Sequence, residues 1–176
     1  DPDLKRHFQI NYGPWDRLKD NRPFIAGVGA KPLGSNFYPA NMSKEEFEKY
    51  LEDHPDAAEQ MKSLYTFIRR GESGELRAIK YSLQFSRQFK EAAEHLEAAA
   101  ELADDAMFAA YLRARANALL SDQYRDSDLL WMSTKNNAVD CVIGPIETYE
   151  DQLFGYKAAC ESYVLIKDMA WSERLS

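Results

Sequence analysis

The fold of this chain turns on one stretch, VIGPIETYEDQLFGYKAACESYV, residues 142–164. The apolar alternation Val139, Cys141, Ile143 reads as a strand with one buried face, and it runs into Gly144-Pro145. Continued without a break, that alternation would drive Glu147 into the core. A bulge or kink at the glycine-proline step re-aims the residues beyond it, so Glu147 and Tyr149, on one side of an extended backbone, are expected to face a cleft. A carboxylate so placed accepts hydrogen bonds from an ammonium group, and a phenol donates to a carbonyl or a developing oxyanion. Farther on, GYKAACESYVLIKDMAWSERLS (155–176) shows helical spacing, and a closing helix is expected.

Upstream, YTFIRRGESGELRAIKY (65–81) places two alternating runs about a GESG turn and predicts a β-hairpin from about Thr66 to Lys80. Between that hairpin and the strand, the longest helix is expected over Leu83 to Ala103, with a stripe of Phe85, Phe89, Ala92, Leu96, Ala99 and Ala103. Asp104 or Asp105 caps a second helix through Phe108, Leu112, Ala116, Leu119 and Leu120, giving an antiparallel helix pair. A short helix around Asp126 to Met132 is expected to carry Leu129, Leu130 and Trp131 into the same core.

Nearer the start, Ser43 followed by Glu46 is a capping box that opens a helix to about His54. Pro55 suits the first turn of another helix bearing Ala57, Ala58, Met61 and Leu64. An initial helix with Leu4, Phe8 and Ile10 on one side stops at Gly13-Pro14. RPFIAGVGAKPLGSNFYPANM (22–42) is too apolar for a linker and reads as an ordered, irregular segment burying its aromatics. The expected architecture is α+β and predominantly helical: packed helices, one β-hairpin and one or two further short strands, in a single domain over 1–176.

The totals narrow the function. With ten Tyr, nine Phe and three Trp in 176 residues, the chain can build a real core. A net charge of −7 argues against nucleic acid as partner, since such proteins carry a basic face. No apolar run approaches the roughly 20 residues that span a bilayer, and no leader opens the chain. It starts at Asp1 without Met and ends at Leu175-Ser176 without a stop signal, which reads as a piece of a longer polypeptide. His7, His54 and His95 form no HExxH pair and read as surface residues; Glu91 and His95 share a helix face as a solvated pair. Gly27, Gly29 and Gly34 lack phosphate-loop spacing, and no GxSxG elbow occurs. Cys141 and Cys160 read as two small buried apolar residues.

IETYEDQLFGYKAACESYV, preceded by WMSTKNNAVDCVIGP, resembles the corresponding region of the dipeptidyl peptidase III family of zinc metallopeptidases, in which an I-E-S-Y or I-E-T-Y segment precedes an F-G and a helix. NYGPWDRL, RPFIAGVGAKPLGSNFYPANMSKEEFE and YVLIKDMAWSERL look like the bacterial branch. The resemblance implies a two-lobed enzyme with a wide cleft, cleaving short peptides from the amino terminus, in which zinc polarises the carbonyl and activates water. By the same resemblance, Glu147 matches the glutamate that holds the peptide's free amino terminus, and Tyr149 the tyrosine that hydrogen-bonds near the scissile carbonyl. The zinc motif of that family lies C-terminal to the region matched here. The chain therefore reads as a portion of the substrate-side lobe, with a short peptide and the remaining zinc-carrying lobe as partners, no metal ligands or catalytic residues of its own, and no activity alone. A rival reading is a helical binding module that captures a partner through the Phe24 to Tyr38 loop.

Overall fold

The computed structural model describes residues 1–175. It opens with α1 (Pro2–Ile10), where the Asp1 carboxylate caps the amides of Asp3 and Leu4. None of α1 is buried, so the apolar side expected of Leu4, Phe8 and Ile10 stays largely uncovered. Past Gly13-Pro14 the chain forms a small pairing that the sequence did not announce, β1 (Trp15–Asp16) against β2 (Arg22–Pro23). Residues 24–42 are irregular but ordered: Phe37 and Tyr38 enter the core, Phe24 is half-buried, and the Phe37 carbonyl accepts from the Ile68 amide at 2.8 Å. Two of the rings that the binding-module reading needs are thus taken up by the fold itself.

α2 (Lys44–Asp53) starts at the predicted cap, the Ser43 hydroxyl accepting from the Glu46 amide at 3.1 Å. The Glu46 carboxylate forms a bidentate pair with Arg70 at 2.7 and 2.9 Å, tying the helix to the strand beyond it. Pro55 opens a single 3-10 turn that runs into α3 (Ala58–Lys62), with Met61 buried and Leu64 beyond the helix, exposed. β3 (Thr66–Arg70) and β4 (Leu76–Lys80) make the expected hairpin, Phe67 opposite Ile79.

The long helix expected over 83–103 is divided into α4 (Tyr81–Gln84) and α5 (Ser86–Leu102), because Phe85 leaves the helical basin at φ −110°, ψ 26°. The buried face of α5 is Phe89, Ala93, Leu96 and Ala100, rotated from the stripe that counted Ala92, Ala99 and Ala103. Alanines lie on both flanks of the apolar face and so do not fix its phase. α6 (Ala106–Ser121) is capped by Asp105, whose carboxylate accepts from the Phe108 amide at 2.8 Å, and packs along α5 as expected. Of the three apolar side chains expected to enter the core from α7 (Arg125–Ser133), Leu130 packs against it; Leu129 and Trp131 are exposed, the Trp131 indole donating to Asp140 at 3.0 Å.

β5 (Val139–Glu147) is the strand read from the sequence, but the closing helix is not. Residues Ala159–Ile166 form β6, antiparallel to β5, and only Met169–Leu175 is helical (α8). The small residues of 158–160 imitate helical spacing, whereas Tyr163, Val164 and Ile166 favour a pleated backbone once β5 offers its ladder. Cys160 on β6 is consequently exposed and Cys141 half-buried, where both were expected inside. Among the described residues no helix is long and apolar enough to cross a membrane.

The loop joining β5 to β6 is held by two buried charged side chains. The Asp151 carboxylate accepts from the amides of Leu153, Phe154, Tyr156 and Lys157 at 2.9 to 3.2 Å and from the Tyr38 hydroxyl at 2.7 Å. Burial, and then this bond to Asp151, push the Tyr38 phenol far up, which keeps it a donor. Lys157, fully buried, donates to the carbonyls of Met61 (2.6 Å) and Ser63 (2.9 Å) and to the Thr66 hydroxyl (2.9 Å). Ala158 continues the stitching, its amide donating to Leu64 at 3.0 Å and its carbonyl accepting from the Tyr81 hydroxyl at 2.9 Å.

Replacing Asp151 by Ala strands those donors in the interior and is expected to cost at least about 3 kcal/mol in urea unfolding, against about 1 kcal/mol for Tyr38→Phe. Equal losses would contradict the central role of the carboxylate. Lys157 supplies a pH signature. Burial pulls its ammonium down to about 7, with Asp151 pulling the other way. The unfolded chain holds that proton to about pH 10.4. Above pH 7 the unfolded state therefore binds more protons and stability rises with pH. Relative to a Lys157→Met variant, the wild-type chain should gain up to about 1.4 kcal/mol per pH unit above neutrality. Parallel stability curves for the two would show that the amine stays charged in the fold.

Candidate functional site

Five consecutive side chains, Glu147 to Asp151, leave the end of β5 in different directions, and the backbone just before them decides which goes where. β5 is fixed to α6 by the Tyr111 hydroxyl, which donates to the Cys141 carbonyl at 2.6 Å. Gly144 comes next with φ +127°, and a Cβ built there would lie 3.2 Å from the Tyr124 ring and 3.5 Å from an Arg115 nitrogen. Only glycine satisfies both the torsion and the space. Pro145 then sits opposite Cys160, and the register slips: Gly144 faces Glu161, but Glu147 faces Ala159, with Ile146 the extra residue. The slip brings Glu147 into phase with Gly144 and with Glu161 and Tyr163 across the ladder. It is the bulge anticipated at Gly144-Pro145.

Glu147 and Tyr149 are both exposed, Tyr149 at 58%. The Tyr149 hydroxyl donates to one oxygen of Glu161 and the Tyr163 hydroxyl to the other, each at 2.9 Å. The bond to Glu161 is the main reason that both phenols sit above the ordinary tyrosine range. Glu147 adds negative potential at Tyr163, so the end of β5 sets a second carboxylate near the cluster of Tyr149, Glu161 and Tyr163. Such a cluster is rich in acceptors and suits an ammonium group.

The next two residues turn inward. The Glu150 carboxylate is held by Arg17 and by Lys31, the latter at 2.7 Å, and the Ser35 hydroxyl donates to its carbonyl at 2.9 Å. Burial pushes the Glu150 carboxyl up, but the hydrogen bond and charge of Lys31, with the charge of Arg17, outweigh it and hold the group below its usual range. Asp151 is consumed by the loop.

Tyr149, Glu161 and Tyr163 edge a depression of about 560 Å³ whose apolar floor includes Phe89, Ala92, Leu119 and Ile143. A neighbouring one of about 430 Å³ shares Tyr12, Arg17 and Glu150 and is walled by Trp15, Phe37, Phe67, Tyr81 and Phe85. Tyr149 thus lines a depression; Glu147 lies outside its lining, exposed at the adjacent end of the strand.

Of the histidines, His54 and His95 are exposed, while His7 is half-buried beside Asp16 (3.7 Å) with its ring against Phe24 at 4.4 Å. Among the described residues no group of three or more His, Cys, Asp or Glu side chains could hold a metal ion. Sequence reasoning places Glu161 and Tyr163 on a helix and so misses them; the alternation Cys160, Ser162, Val164, Ile166 against Glu161, Tyr163, Leu165 was the available signal. Arg17 and Lys31 carried no local signal, since they meet Glu150 only through the tertiary fold.

The model of peptidase family M49 matches residues 42–176. Dipeptidyl peptidase III from Caldithrix abyssi superposes with a TM-score of 0.93 at 43% identity, over 99% of this chain and 33% of its own. The structure of dipeptidyl-peptidase III from Corallococcus sp. strain EGB gives 0.91 at 36% identity, again over 99% and 33%. Among curated proteins, Nudix hydrolase 3 of Arabidopsis thaliana is 29% identical over 211 residues, 92% of this chain and 27% of that protein. The chain therefore spans about a third or less of the relatives it matches.

Gly144→Ala tests the geometry that presents the rim. Forcing a Cβ into a positive-φ position against Tyr124 is expected to cost about 1–3 kcal/mol and to weaken the Tyr149–Glu161 bond, read as a fall in the phenol's pKa in a tyrosine titration. An Ala variant as stable as wild type would show that the bulge does not depend on glycine.

Proposed function

The chain belongs to peptidase family M49, and on that premise we propose that it is the substrate-holding portion of a zinc-dependent peptidase of the dipeptidyl peptidase III type. The substrate class is short peptides, engaged by the amino terminus. The observation that carries this reading is the hydrogen-bonded cluster of Tyr149, Glu161 and Tyr163, with Glu147 brought by the register slip onto the strand face of Glu161 and Tyr163, in a chain of this family.

Each group has a task that its chemistry fits. Glu147, exposed and not hydrogen-bonded to Tyr149, offers both oxygens to an α-ammonium. Tyr149 holds a protonated hydroxyl that can be handed from Glu161 to a peptide carbonyl, orienting the bond to be cut. The apolar floor below receives side chains next to that terminus. Zinc, which the resemblance implies, would polarise the carbonyl; its ligands would come from the two thirds of the relatives' length that this chain does not span. This chain's own contribution is to bind and to align, and alone it should hydrolyse nothing.

In the complete enzyme, Glu147→Ala should raise KM for short peptides through loss of a charge-assisted hydrogen bond, roughly 1.5–3 kcal/mol. Tyr149→Phe should chiefly lower kcat. Steady-state kinetics on a dipeptide-releasing substrate decide the matter, and unchanged constants in both variants would reject these roles.

A further inference from the structure

Tyr111, Arg115 and Leu119 stand at steps of four along α6, a single row on one face, and all three are buried. That row meets β5. Tyr111 bonds to the Cys141 carbonyl at 2.6 Å, and a Cβ added at Gly144 would lie 3.5 Å from an Arg115 nitrogen and 3.8 Å from the Leu119 side chain. Arg115 is the unusual member. Its guanidinium is 5% exposed, with the rings of Tyr111 and Tyr124 each 5.5 Å from its central carbon. Its Nη2 donates to the Asp128 carboxylate on α7, which is itself exposed, while its Nε and the nearby Tyr124 hydroxyl have no hydrogen-bond partner among the described residues. A buried cation with an unfilled donor costs stability, and an apolar side chain of similar volume would fill the same space at less cost. The contact with the Gly144 turn gives that cost a use.

We propose that Arg115 is a positioning residue for peptide binding: its planar guanidinium, with the Tyr124 ring, is the wall against which Gly144 takes its positive-φ turn, and through that turn it sets Glu147 on the strand face of Glu161 and Tyr163. The inference rests on the ammonium-binding role proposed for Glu147. Lysine at 115 would keep a cation opposite Asp128 but lose the plane, leaving Gly144 room to relax toward ordinary strand torsions. Loss of the slip at Ile146 would then turn Glu147 toward the other face. Tyr149 is less dependent on this wall, because the loop holds it from the far side through Glu150 and Asp151. Arg115 should therefore act on binding and hardly on turnover.

Steady-state kinetics of the complete enzyme on a dipeptide-releasing substrate test this with Arg115→Lys, and with Asp128→Asn, a change at an exposed position that removes the guanidinium's ionic partner. Arg115→Lys is expected to raise KM about 10-fold, as misplacement of a binding group does, with kcat nearly unchanged, and Asp128→Asn to shift KM the same way by less. The deciding measurement is a double-mutant cycle. In a Glu147→Ala background Arg115→Lys should raise KM no further, because it acts through that carboxylate. An equal rise in KM with and without Glu147 would show a general structural role and overturn the proposal, as would unchanged KM in both single variants. If Glu147→Ala alone leaves KM untouched, the role of Glu147 falls and this inference with it; if Glu147→Ala raises KM and neither the Arg115 nor the Asp128 variant does, only this inference falls.

Discussion

A single buried carboxylate sets the geometry of this chain. Asp151 is withdrawn from water, and an ion in that position survives only if its lone pairs are filled. Four amides from the six residues after it and one phenol from the irregular segment do so. The loop is thereby bent into one shape and bound to Tyr38, which lies far from it along the chain. Lys157 completes the arrangement from the other side, donating to the carbonyls of Met61 in α3 and Ser63 beyond it and to the Thr66 hydroxyl on β3. Local order at 151–157 and long-range attachment are the same set of hydrogen bonds.

From that anchor the candidate site emerges by elimination. With Asp151 turned in and Glu150 held by Arg17 and Lys31, the adjacent Tyr149 is directed outward, where Glu161 receives its hydroxyl. From the strand side, the extra residue at Ile146 brings Glu147 onto the strand face of Glu161 and Tyr163. Two independent devices, a satisfied buried ion and a glycine-dependent bulge, converge on one acidic patch. Neither stores information about a substrate; both restrict where side chains can point.

How much of this could be read from residues alone depends on how local the cause is. Ser43 and Asp105 cap their helices through amides three positions away, and the GESG turn closes its own hairpin, so these were legible. The bulge was legible because glycine and proline act on their own backbone. The break at Phe85 and the phase of α5 were not, since alanine neighbours leave the apolar face ambiguous until α6 packs against it. β6 was misread for a deeper reason: its pairing partner lies across a loop whose shape depends on Tyr38 and on the carbonyls of Met61 and Ser63. Glu161 and Tyr163 inherited that error, and with them half of the rim.

The seclusion of Lys157 has a kinetic side. An amine with no accessible surface cannot trade protons with solvent where it stands. Exchange must wait for a fluctuation that parts residues 151–158 from α3 and β3, an event governed by local unfolding rather than by diffusion of hydronium. After an abrupt change of acidity this part of the chain would relax late, carrying for a time the charge state of the solution it has left.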